Sequence, residues 1–153
     1  MSTMRFYDLG SPHLTLVRCG KVVNFDALAD SLNFFLKHAT RQPPHDVIVD
    51  LTDVEDMDLS FREIIRFLPF MKVVLADEKQ SFNFLIAAPG GQHRAVAEVF
   101  SIVTRAMERL SVRVVPDLET ALRRHGLPGL ELARITRLSS MENERPFRAS
   151  LRG

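Results

Sequence analysis

At 153 residues, 46% hydrophobic and 25% charged, the chain has the make-up of one globular domain rather than a disordered segment. A net charge of +1 gives no electrostatic footprint for nucleic acid, and no apolar run reaches the roughly 20 residues of a membrane helix. The single cysteine, Cys19, excludes an internal disulfide and a cysteine-based zinc site.

Two short strands open the chain, Arg5 to Leu9 and Leu14 to Cys19, with Gly10, Ser11 and Pro12 as the turn between them. Asn24 is placed to cap a helix from Phe25 to about Ala39, whose apolar positions Phe25, Leu28, Ala29, Leu32, Phe35 and Leu36 share one face. The break RQPPH ends it, because two prolines cannot continue a helix. Val47, Ile48, Val49 and Leu51 then form a nearly continuous apolar run, the mark of a strand covered on both faces.

An acidic loop, Thr52 to Asp58, follows, and a helix opens at Ser60. Its core side is read as Phe61, Ile64, Ile65, Leu68 and Leu75, which leaves Phe67, Phe70, Met71, Val73 and Val74 off the stripe. Pro69 is expected to kink this helix or split it in two. Phe82 to Ala88 is another apolar strand. Pro89, Gly90 and Gly91 turn the chain into a third helix, about Gln92 to Leu110. Val112 to Val115 is a short strand, and a last helix begins at Pro116 or Asp117 and runs to about His125. This alternation predicts an α/β fold: a mixed, mainly parallel sheet of about five strands with four helices. The domain spans residues 1–127. Residues 128–153 read as an extension, partly helical and then mobile.

The ordered pieces resemble a known family. Gly20 closes a strand before the first helix, VIVDLTDVEDMDLS follows, FLIAAP leads to a helix with an early Arg, and VRVVPDLETAL closes the pattern. Together, over roughly Met4 to Leu127, they resemble a STAS domain, the fold of sulfate-transporter and anti-sigma-factor-antagonist domains, in its short stand-alone bacterial type. That resemblance implies a non-catalytic regulatory module, cytoplasmic and without a cofactor. Its partner would be a protein such as a regulatory kinase or a sigma-pathway component. In the regulatory members a kinase phosphorylates a serine of a D-S-S-G loop. Here the corresponding residues are Asp58, Leu59, Ser60 and Phe61, so Ser60 stands at the second serine and is the phosphorylation candidate.

The residues themselves leave several readings open. Ser60 with Glu63 three positions later is a capping box, which explains the serine without phosphate. Asp53, Glu55, Asp56 and Asp58, with Phe61 and Arg62, form the candidate partner-binding surface; a solvated acidic loop is the plainer reading, and a Mg²⁺ site needs oxygen ligands that converge. Asp50 or Asp53 at a strand end resembles a receiver phosphoacceptor, but no lysine follows Lys79 to complete such a site. Gly90, Gly91, His93 and Arg94 offer an anion a helix N-terminus, or are simply a turn. The five histidines show no metal-like pairing and no nucleophile motif is present, so neither a metal site nor an enzyme is expected. A small-molecule site between sheet and helices is the alternative function. Excess apolar residues around Pro69 suggest self-association, with a homodimer as one solution. The opening MSTMRFYDLGSPH lacks the basic-then-apolar order of a secretory signal, in keeping with a cytoplasmic location.

Overall fold

The computed structural model describes residues 4–9, 14–38, 45–74, 76 and 81–127, with the side chains of 8, 32–38 and 74 left out. The expected Gly10–Pro12 turn, the proline-rich break before His45 and the extension after residue 127 lie outside these residues. Within them the α/β reading holds. Four helices pack on a five-stranded, mostly parallel sheet.

The main sheet has the order β1 (Arg5–Asp8), β2 (Leu14–Arg18), β4 (His45–Asp50), β6 (Phe82–Ala87), β7 (Leu110–Val115). β1 pairs with β2 antiparallel, and the other neighbours pair parallel. The central strand reads as its sequence demands. Val47 and Ile48 point to opposite faces and both are buried, at 1% and 0% exposure.

One face of the sheet carries α1 (Phe25–His38), α2 (Phe61–Val74) and α3 (Gly91–Val103). The other carries α4 (Leu118–Arg124). Asn24 caps α1, its Oδ1 accepting from the Ala27 amide at 2.9 Å. Asp117 caps α4, accepting from the Thr120 amide at 2.7 Å.

Three features differ from the sequence reading. First, the acidic loop contains a strand. β5 (Asp56–Asp58) pairs parallel with β3 (Val22–Asn24) in a second, two-stranded sheet. Second, α2 faces the core with Ile64, Phe67 and Met71, while Phe61 and Ile65 are exposed. Phe67 packs edge-on against Phe25 of α1, with ring centroids 6.3 Å apart, and lies 6.4 Å from Phe100 of α3. The neighbouring helices therefore select the aromatic side. Pro69 does not split α2, which runs unbroken from Phe61 to Val74. Pro69 lies on the exposed side, so the Ile65 carbonyl that loses its partner can meet water instead. Third, α3 ends at Val103, not Leu110. The Thr104 hydroxyl donates to the Phe100 carbonyl at 2.8 Å, and residues 104–109 turn the chain so that Leu110 begins β7.

Candidate functional site

The parallel strands end together, and their carboxyl ends are where an open α/β sheet offers a surface. Two of the loops there carry the candidate residues: residues 51–60 after β4 and residues 88–90 after β6. A salt bridge fixes the first loop at its root. Asp50 is 2% exposed. It accepts from Arg18 Nε at 3.2 Å and from the Thr52 amide at 3.0 Å, and the Thr52 hydroxyl donates to it as well. A buried carboxylate needs this set of donors, since an unpaired one is costly. Asp50 is thus engaged in structure, whereas a phosphoacceptor would need a free oxygen.

The rest of the loop is held by backbone and by apolar anchors. The amides of Glu55 and Asp56 both donate to the Lys21 carbonyl, at 2.8 and 2.9 Å. Leu51, Val54 and Met57 are buried, so Asp53, Glu55, Asp56 and Asp58 all turn outward. Asp53 leans back to Arg18 at 3.8 Å. Among the described residues, no three His, Cys, Asp or Glu side chains converge as metal ligands would.

The Gly90–Gly91 turn sits directly against this loop. Gly90 and Gly91 take φ of 129° and 58°, conformations that favour glycine. The Gln92 side chain donates to the Met57 carbonyl at 3.2 Å, and His93 Nε2 meets the Val54 carbonyl. Arg94 pairs with Glu98 one turn on, at 3.3 Å. The turn's side chains therefore brace the acidic loop or their own helix, and an anion there would rest on backbone amides alone. No sequence signal linked these two loops; only the fold makes them neighbours.

Ser60 forms the expected capping box. Its amide donates to Glu63 Oε1 at 3.0 Å, and the Glu63 amide donates to the Ser60 hydroxyl at 3.2 Å. The amide and hydroxyl of Ser60 hold the Glu63 carboxyl below the usual glutamate range. Both side chains are at the surface, so the Ser60 hydroxyl is reachable from solvent.

Beyond Ser60, α2 shows an apolar ridge. Phe61, Ile65, Pro69 and Val73 follow at steps of four, and Phe61, Ile65 and Val73 are 61%, 40% and 69% exposed. Twelve residues at 1.5 Å each make the ridge about 18 Å long. Arg62 lies exposed beside it, and Arg66 stacks over the Phe25 ring at 4.9 Å. The sequence reading had put Ile65 in the core and Met71 outside it; their exchange is what creates the ridge. Comparison with protein-family models, with curated proteins and with solved structures gave no match.

Proposed function

We propose that the chain is a non-catalytic protein-interaction module, of the STAS-like kind its sequence resembles. It would dock a partner protein on α2 and the acidic loop. The observation that carries this reading is the ridge of Phe61, Ile65 and Val73, apolar side chains left in water beside four outward carboxylates. Exposed apolar residues aligned along one helix are a common binding surface, and the charges beside them, acidic in the loop and basic at Arg62 and Arg66, select the partner. The complementary partner carries an apolar stripe with basic groups at the end that meets the acidic loop. A second copy of the chain is the other occupant, and a stable contact of that kind needs about 800 Å² from each side.

Within this reading Ser60 is the control point. A phosphate there adds up to about −2 charge next to Glu63, whose Oε1 lies 3.1 Å from the hydroxyl. It would displace the capping box and enlarge the negative field that the partner's basic groups meet.

The test is capture from an extract of the cells that make the protein, using the full chain and its variants. Ile65→Glu and Val73→Glu should each remove the same captured protein, and Ser60→Asp should strengthen its retention while Ser60→Ala does not. Arg124→Glu, on the opposite face, should retain it. A captured set unchanged by both α2 variants defeats the proposal. Sedimentation of the purified chain at micromolar concentration reads the homodimer directly.

A further inference from the structure

On the inner side of α2 the helices do not close fully on the sheet. A cavity of about 120 Å³ lies between β2, β4 and β6 on one side and α1, α2 and α3 on the other. Its walls are unusual in being soft. Three methionines, Met4, Met57 and Met71, and three phenylalanines, Phe67, Phe84 and Phe100, contribute to the lining. Thioether chains reshape around a guest at little cost and make favourable contacts with aromatic rings.

Polar atoms are nearly absent. Among the described residues lining the cavity, only Cys19 and Ser31 carry polar side-chain atoms. The Ser31 hydroxyl donates to the Leu28 carbonyl of its own helix at 2.8 Å. Burial pushes the Cys19 thiol up to about 12, so it stays neutral. A water in a cavity needs two to four polar partners, and these walls do not supply them. A dry apolar space offers a guest no competitor. Interiors normally close to crystal-like density, so a void of this size is not the default outcome of packing. Half-buried Leu28, Leu59 and Val96, on α1, the approach to α2 and α3, bring the lining within reach of solvent.

We propose that this cavity binds a small uncharged apolar molecule, the size of one aromatic ring or a short alkyl chain. An engineered dry cavity of roughly 150 Å³ holds benzene, which sets the scale. Among the described lining residues there is no cation for a carboxylate and no donor array for a phosphate, so the guest is neutral. The site is independent of the docking surface: Ile64, Phe67 and Met71 form its α2 wall, on the side away from the exposed ridge.

Toluene is the probe, added to the full chain while the methionine methyl resonances are followed. Met4, Met57 and Met71 should shift and saturate, Met107 (outside the lining) should not, and the thermal midpoint should rise. Benzoate, the charged analogue, should do neither. Ala97→Leu puts three carbons into the space and should abolish the toluene response in a protein that melts cooperatively. Ser31→Leu fills the cavity from α1 and serves if Ala97→Leu fails to fold. No saturable shift up to the solubility of toluene overturns the proposal. So does an equal response to benzoate, or a filled variant that responds like the parent.

Discussion

The two faces of the sheet are packed to different standards. The α4 face is tight: Leu16, Ile48 and Leu122 are at most 1% exposed, and Ala87 and Ala121 have no exposed area at all. The three-helix face is larger, richer in Phe and Met, and contains the 120 Å³ cavity. At about 24 cal/mol per Å³, an empty cavity of that size forfeits roughly 3 kcal/mol. The lesson is a division of labour. The α4 face holds the sheet together, and the looser face, with the acidic loop at its edge and α2 on its outside, is the one with an apolar space inside it.

The same substitution made on both faces is the sharpest way to break this contrast. Ala121→Leu forces three carbons into a filled core and should cost about 1–3 kcal/mol. Ala97→Leu puts the same carbons into the cavity, and at about 0.8 kcal/mol per buried CH₂ it should be neutral or gain up to about 2 kcal/mol. Urea melts of both variants decide it. Equal destabilisation would mean that the two faces are packed alike.

A smaller effect is expected where α2 begins. Ser60→Ala removes half of the capping box and should cost about 0.5–2 kcal/mol, whereas Ser60→Asp, itself a good cap, should stay near the parent. The Glu63 half has a pH signature. Its carboxyl is held below its ordinary value of 4.5 by the amide and hydroxyl of Ser60. The unfolded chain therefore takes up a proton first as pH falls, so the contribution is present above about pH 4.5 and lost as pH drops through the lower folded value. The gap between Ser60→Ala and the parent should narrow through that window in urea melts repeated at falling pH. A gap that is constant with pH would discount the contact between the Ser60 hydroxyl and Glu63, the Ser60 amide being kept in Ser60→Ala.

Much of this was legible in the residues, and the failures are physical. Val47 to Leu51 could be read because a strand buried on both faces needs no alternation. Asn24, Ser60 and Asp117 announced their helices because capping is local chemistry. β3 and β5 escaped because each has three residues, and Asp-Met-Asp has no strand propensity; their pairing comes from chain segments some thirty positions apart. The face of α2 escaped because it is apolar nearly all round, and Phe25 and Phe100, not periodicity, choose the inner side. The ridge follows from that choice, and while a site between sheet and helices was expected, two of the α2 side chains that line the cavity, Phe67 and Met71, were not. The α3 terminus escaped because Met107 and Leu110 continue the helical spacing while serving the turn and β7.

The finest distinction concerns whether the loose face is dry or simply wet. Cys19 reports on it, because its thiol lines the cavity and is buried at 3% exposure. Burial raises its pKa from 9.0 to about 12, with the Asp50 charge adding to the rise. The sign follows directly. Above pH 9 the unfolded thiol loses its proton while the folded one keeps it, so the folded state holds more protons and stability falls as pH climbs toward 12. Between pH 9 and pH 10 the loss should be about 1 kcal/mol, and Cys19→Ala should lack this slope. The native thiol should also show no thiolate absorbance at pH 9 and resist alkylation until the chain is unfolded. A thiol that titrates near its ordinary value in the folded protein would place water in the cavity, and an apolar guest would then have to displace it.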